Sequence, residues 1–242
     1  MSTVERVSAN GHVYELRDVR REFHGGGSEV RAVDGVDLMV SAGEFIAVEG
    51  PSGSGKTTLL QLLGALDRPT DGKVFFAGRD LSSLSDRELT EVRAHEIGFV
   101  FQTFNLIPTL TAVENVEIAM APVKTSRVDK RARAEKLLDQ LGLSARASHL
   151  PGILSGGEQQ RVSIARAMAN APRVILADEP TGNLDSSTAD EIMKVLADLC
   201  ASEGVTLIVV THSEDVASRS ARRLRMRDGR LIDDQAWMPR GV

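Results

Sequence analysis

At 242 residues, 42% of them hydrophobic, the chain can bury the core of one large domain or of a domain with a small lobe. Its net charge of −5 lacks the basic excess of a general nucleic-acid binder, so no nucleic-acid partner is expected. The single cysteine, Cys200, cannot form an intramolecular disulfide and suits a reducing compartment; beside Val195, Leu196 and Leu199 it reads as a small helix residue. The polar stretch Met1 to Gly11 shows no signal-peptide pattern. No apolar run nears the roughly 20 residues that span a bilayer, so no direct membrane insertion is expected.

In chain order, the first 50 residues read as strands. Val36, Leu38 and Val40 alternate with Asp37 and Met39, the pattern of a half-buried strand. Phe45-Ile46-Ala47-Val48 is a continuous apolar run of buried-strand type. A glycine loop, Gly50 to Gly55, precedes a helix from about Lys56 whose apolar side is Leu59, Leu60, Leu62 and Leu63. Pro69 to Gly72 is a turn before the strand Val74-Phe75-Phe76. From Leu81 to about Leu150 the character turns helical, with one more strand at Ile97 to Phe101 and helical periodicity in Ala112–Met120 and Val128–Leu141. This block reads as a helical insertion in an α/β domain. Alternation then resumes: strand Val174–Ala177, helix Ser187–Ser202, strand Val205–Thr211, and a hairpin turn at Arg227 to Arg230. Asp233 to Val242 lacks periodicity and reads as a mobile tail. Strands alternating with helices imply a parallel sheet with ligands at the carboxyl ends of its strands.

Three segments carry chemistry. Gly50-Pro51-Ser52-Gly53-Ser54-Gly55-Lys56-Thr57-Thr58 fits G-x-x-x-x-G-K-[ST]. The glycines let successive amides point at one anion, and the following helix adds a positive end. Lys56 would reach the β- and γ-phosphates of a bound nucleotide, Thr57 would bind Mg²⁺, and Thr58 would bond a phosphate oxygen. The apolar strand Val174 to Ala177 ends in Asp178 and Glu179. Asp178 is suited to holding Mg²⁺ and Glu179 to polarising the attacking water, because neighbouring strand residues face opposite ways. The third segment, Leu154 to Arg161, admits two readings. Ser155-Gly156-Gly157-Glu158 is a capping box, S-x-x-E. Two glycines in a first helical turn cost up to about 1 kcal/mol each in propensity, which a cap alone would not need and a close-approaching ligand would. His212 and Gln102 also follow strands, at positions suited to phosphate, water or Mg²⁺ contact. His12, His24, His95 and His149 show no metal-ligand spacing.

Together these residues resemble the nucleotide-binding subunit of ABC transporters, over essentially Tyr14 to Asp234. The phosphate loop is common to many NTPases; Leu154-Ser155-Gly156-Gly157-Glu158-Gln159-Gln160-Arg161 is far more specific. The order of loop, Gln102, that signature, Asp178-Glu179, Asp185 and His212 also fits. Gly98 to Pro108, Thr111 to Val116, Ala177 to Asp185 and Met226 to Arg230 are most similar to the group of lipoprotein-releasing, macrolide-exporting and cell-division ATPases.

The resemblance implies a P-loop NTPase of α/β class with a mainly parallel core sheet, an N-terminal antiparallel β subdomain and a helical insertion. One ATPase domain would fill 1–242: core and β subdomain from 12–101 and 172–234, a helical subdomain at about 102–171, and a tail at 235–242. The implied activity is hydrolysis of ATP with Mg²⁺ held by Thr57, Gln102 and Asp178. Glu179 would be the catalytic carboxylate, with Lys56, Gln102 and His212 acting beside it. Two copies would close head to tail, so that Ser155, Gly156 and Gly157 of one cap the ATP of the other, with Asp185 at the interface. The partner would be a membrane permease with an extracytoplasmic domain, engaged near Gln102 to Pro108 from the cytoplasmic face. A non-transporting ATPase that regulates a membrane or cell-wall partner would carry the same motifs. Family members commonly stack adenine on a tyrosine near the N-terminal strand; here Phe23 holds that place, before His24 and Gly25-Gly26-Gly27, with Tyr14 also nearby.

Overall fold

The computed structural model describes residues 11–25 and 28–236, with the backbone alone at 24, 25, 28, 29 and 234–236. β1 (His12–Gly25) and β2 (Ser28–Ser41) run antiparallel. Val36, Leu38 and Val40 of β2 are buried while Asp37 and Met39 are exposed, so the period-two pattern puts one face of the pair into the core. β3 (Phe45–Glu49) leads through the glycine loop into α1 (Lys56–Leu63), which buries Leu59, Leu60, Leu62 and Leu63. β4 (Asp71–Phe76) returns to pair with β1, and the short β5 (Arg79–Asp80) pairs with β4. The antiparallel sheet is ordered β2-β1-β4-β5.

Tyr14 and Phe76 close the core between this sheet and α1. Their ring centroids lie 5.0 Å apart, and the Tyr14 hydroxyl donates to the Leu63 carbonyl at 2.7 Å. α2 (Asp86–Glu96) opens on a capping box made by Ser85 and Glu88, then gives way to β6 (Ile97–Phe101). Leu89 and Val92 of α2 join the same core as Tyr14 and Phe76. The helical character that begins at Leu81 in the sequence therefore divides, its first helix packing with the N-terminal strands.

A second core gathers α3 (Ala112–Glu117), α4 (Arg127–Gln140) and α5 (Gly156–Met168) around Val113, Val116, Leu137, Leu138, Val162 and Ile164. Buried Asn115 organises the preceding loop: its side chain accepts from the Ile107 amide at 2.7 Å and donates to the carbonyls of Ile107, Leu110 and Thr111. β7 (Val174–Asp178), α6 (Ser186–Glu203), β8 (Thr206–Thr211), α7 (Glu214–Ala217), β9 (Arg222–Arg227) and β10 (Arg230–Ala236) complete the chain.

The second sheet is ordered β10-β9-β3-β8-β7-β6, parallel from β9 to β6, with β10 antiparallel at its edge. Asp233 to Ala236, read from the sequence as the start of a tail, belong to β10. Backbone pairing with β9 continues to Ala236 against Arg222, independent of side-chain periodicity. The rest of the expected tail, 237–242, lies outside the described residues, as do Met1 to Asn10 at the polar start. Among the described residues no helix is long and apolar enough to cross a membrane.

Cys200 lies on the inner face of α6, 2% exposed, and burial pushes its thiol up to about 12. Alkylation at mildly alkaline pH is expected to be slow in the native chain and fast in denaturant. Rapid labelling of the folded protein would contradict this packing.

Candidate functional site

The parallel registers bring four strand ends to one edge. Glu49 pairs with Thr211, Asp178 with Val210, and Phe101 with Asp178. The next residues along these strands are Gly50, His212, Glu179 and Gln102, so residues spread over more than half of the sequence emerge together.

The phosphate loop is shaped by contacts from distant segments. A side chain at Gly50 would strike the Met226 carbonyl, and one at Gly55 would strike the Ala32 carbonyl. Gly55 also caps α1 with φ of 102°, a left-handed geometry. The turn between β9 and β10 props the loop: the Gly229 amide donates to the Ser54 carbonyl at 3.0 Å, and the Asp34 amide donates to the Gly229 carbonyl at 2.9 Å. The sequence marks Arg227 to Arg230 as a turn; its support of the loop is a long-range contact that local pattern does not carry.

Lys56 is 8% exposed and lies back over the loop, its Nζ donating to the carbonyls of Gly50 at 2.7 Å and Pro51 at 2.9 Å. The first turn of α1 carries no acidic residue and no side-chain cap, which leaves its amides for an anion. Ser54 Oγ is buried without a partner, a further polar group at the loop. A cavity of about 540 Å³ adjoins these groups, with Ser52, Gly53, Lys56, Thr57, Thr58, Asp178 and Glu179 on its wall and Val30, Arg31 and Ala32 opposite. Gly50, Pro51 and His212 line a second cavity with Arg225 and Arg227.

β8 lies between β3 and β7, so the loop and the acids are on non-adjacent strands. The Thr57 hydroxyl nonetheless stands close to the Asp178 carboxylate. Burial raises the Asp178 pKa, as does the charge of Glu179, while Thr57 and Lys56 oppose the rise. A carboxylate so placed, with a threonine hydroxyl beside it, suits a divalent cation that keeps most of its water. Among the described residues no group of three or more His, Cys, Asp or Glu forms a denser metal cage.

Glu179 adopts φ of 46°, in the left-handed region costly for a non-glycine residue. Its amide donates to the Val210 carbonyl at 2.9 Å, which carries the ladder one residue past Asp178. Its carboxylate lies 2.7 Å from His212 Nδ1 and accepts from the Thr211 hydroxyl at 3.1 Å. The two acids thus have separate partners: Asp178 the phosphate loop, Glu179 the end of β8. The Gln102 amide donates to Asn183 Oδ1 at 3.2 Å, and Asn183 Nδ2 donates to the Gln102 carbonyl at 3.0 Å. Gly182 admits this packing, since a Cβ there would lie 2.7 Å from Gln102 Nε2. Gln102 is therefore held at Asn183 and is not on the wall of the cavity.

Ser155 to Gly157 do not line this chain's own phosphate cavity. The capping box is complete: the Glu158 amide donates to Ser155 Oγ at 3.2 Å, and the Ser155 amide to Glu158 Oε2 at 2.8 Å. Gly157 has a further reason to lack a side chain, since a Cβ would lie 2.7 Å from Thr188 Cγ2. Packing within the chain thus accounts for one of the two glycines. Asp185 caps α6, accepting from Ser187 at 2.6 Å and from the Thr188 hydroxyl at 2.7 Å and amide at 3.0 Å; these bonds hold its carboxyl far below the usual range. The Leu184–Thr188 turn and the start of α5 therefore pack as one surface.

Phe23 is 41% exposed, with the Arg21 guanidinium 4.6 Å from its ring centroid, and pairs across β1 and β2 with Val30 on the cavity wall. Tyr14 is buried in the core and is not available to stack on a base. Of the residues after Phe23, Gly26 and Gly27 lie outside the described residues.

Asp178→Asn keeps an oxygen for Thr57 and removes a charge that burial and Glu179 both oppose. The nucleotide-free variant should melt at higher temperature than the wild type while losing Mg²⁺-dependent nucleotide affinity. Paired thermal melts and Mg²⁺ titrations check this; a lower melting temperature would contradict the electrostatic account.

The sequence pattern of the ABC transporter family matches residues 33–182. The lipoprotein-releasing system ATP-binding protein LolD of Geobacter metallireducens is 47% identical over 220 residues, covering 91% of this chain and 98% of that protein. The macrolide export ATP-binding/permease protein MacB 2 of Aeromonas hydrophila is 48% identical over 228 residues, covering 94% of this chain and 35% of that protein. The chain thus spans about a third of the length of this relative. A dimeric ATP-binding cassette solved in a post-hydrolysis state bound to ADP and Pi superposes with a TM-score of 0.85 at 43% identity, covering 95% of this chain and 100% of that one. With a phosphate loop, paired acids and signature helix on that fold, the chain belongs to the ABC transporter family as one of its ATP-binding cassettes.

Proposed function

We propose that the chain hydrolyses ATP with Mg²⁺ as a head-to-tail homodimer and so drives export or extraction of a substrate by a membrane permease with an extracytoplasmic domain. It would work peripherally, on the cytoplasmic face. The observation that carries this reading is Glu179, held by His212 and Thr211 beside a cavity walled by Lys56, Thr57 and Asp178.

The loop amides, the α1 N-terminus and Lys56 bind and neutralise the phosphates, with Thr58 on a phosphate oxygen. Thr57 and Asp178 would hold Mg²⁺, with Gln102 joining them on release from Asn183, and the ion would offset the charge of the phosphate oxygens. Glu179 accepts a proton from the attacking water, and His212 orients the carboxylate through Nδ1 beside the γ-phosphate position. Phe23 and Val30 offer an apolar face to the adenine.

Two facts support completion of the site by a second copy: Ser155, Gly156 and Gly157 stand away from this chain's own cavity, and a close structural relative is dimeric. In that arrangement the amides and helix end of one copy stabilise charge on the ATP of the other, with Asp185 in the shared surface. The loop from Gln102 to Pro108, where Ile107 is 38% exposed, is the contact for the permease.

Replacing Glu179 with Gln should preserve ATP binding, trap an ATP-bound dimer and lower turnover roughly 10²- to 10⁴-fold, the weight of a general base. Single-turnover hydrolysis with size-exclusion chromatography checks this, and near-normal turnover would sink the assignment. Ser155→Arg should block hydrolysis and dimer formation but spare nucleotide binding. Loss of ATP affinity in the monomer would instead place the signature in its own chain's site.

A further inference from the structure

Gln160 lies in the second turn of α5, completely buried, and the mechanism above gives it no task. Its side-chain amide nitrogen donates to the carbonyl of Pro180 and, at 3.4 Å, to that of Phe101. One NH₂ group has two hydrogens and can serve both. Phe101 immediately precedes Gln102, and Pro180 immediately follows Glu179. Turning the amide over would set its oxygen against two carbonyl oxygens, so the orientation is fixed. The Gln160 Oε1 atom is buried without a partner. A leucine or methionine would remove that unpaired oxygen but take the donor from the Pro180 and Phe101 carbonyls, so what the glutamine supplies here is the tie between these two segments.

The same helix makes a second grip six residues on. Arg166 donates to the carbonyls of Phe104, at 2.7 Å, and Asn105. These two residues have φ of 58° and 51°, a left-handed pair that needs outside support. α5 therefore holds the backbone on both sides of Gln102 and just beyond Glu179, while its own first turn carries Gly156 and Gly157.

We infer that Gln160 is a positioning residue, through which the signature end of α5 sets the placement of Glu179 and Gln102 at the phosphate site. The inference rests on the reading of Glu179 and Gln102 as the groups that act on water and Mg²⁺. A shift of the first turn of α5, when a second copy closes on it, passes along a rigid helix to the two carbonyls. Catalytic geometry then tightens only when the signature is engaged.

The test uses the full chain and two variants. Gln160→Met fills the same space without donors; Gln160→Glu keeps the shape but can donate to at most one of the two carbonyls. In both, kcat for ATP hydrolysis is expected to fall roughly 10- to 100-fold, the scale of a small misplacement of catalytic groups, with KM and ATP affinity little changed. A space-filling role predicts the opposite for Gln160→Met, normal kcat with at most a lower melting temperature, and that result overturns the inference. Should Gln160→Met not fold, the isosteric Gln160→Glu decides, and wild-type kcat there is equally fatal. Glu179→Gln is assayed alongside. If it turns over normally, the reading of the site is at fault; if it is inactive while the Gln160 variants are normal, only the positioning role falls.

Discussion

The parallel backbone ladder joining β3, β8, β7 and β6 is the constraint on which the site depends. Ladder register is set by main-chain hydrogen bonds and by burial of both faces, so it leaves no freedom to slide one strand end past another. Once Glu49 lies opposite Thr211 and Asp178 opposite Val210, the loop, the acids and the histidine must emerge at one level. The bond from the Glu179 amide to the Val210 carbonyl extends that ladder by one residue and holds the left-handed turn that sends the carboxylate to His212. Strain at Glu179 is thus borne by a sheet whose central strands are buried.

Much of this was legible in the sequence, for a physical reason: the informative residues are those whose neighbours in sequence decide their geometry. Phe45 to Val48 and Val174 to Ala177 are uniformly apolar because both faces of their strands are covered, and they form buried strands. The loop Gly50–Gly55 needs glycine where Met226 and Ala32 approach, and glycine spacing shows in sequence even when the approaching residues do not. What sequence hides is partnership across distance. No local pattern tells that β8 separates the loop from the acids, that Asn183 takes hold of Gln102, or that Gln160 reaches two carbonyls flanking the site. Gly157 shows the converse hazard. Its smallness suggests a ligand when read alone, yet Thr188 of the same chain already requires it. The strand through Ala236 has no period-two pattern to mark it in sequence; its register against β9 shows it.

The two helix entries differ in what already satisfies them. At the start of α1 the amides have no side-chain cap, the first turn carries no acid and Lys56 folds over the loop, so this helix end is organised to receive negative charge. At the start of α5 the capping box occupies Ser155 and Glu158, and Arg146 at 2.9 Å from Glu158 adds a compensating charge. The first entry is organised to receive an anion, whereas the second is largely self-satisfied, a surface ready to meet one that something else holds.

The β9–β10 turn makes the boundary of the nucleotide site differ from the boundary of its motifs. Residues 33–182 contain the phosphate loop, the signature and both acids. The carbonyl of Met226 and the amide of Gly229, which limit and support the loop, come some forty residues later. A fragment with those bounds would hold the loop, the signature and both acids, yet lack His212 and the wall against which the loop is moulded. The smallest unit able to shape the pocket is accordingly set by where the last supporting hairpin closes, and length beyond the motifs is part of the binding chemistry.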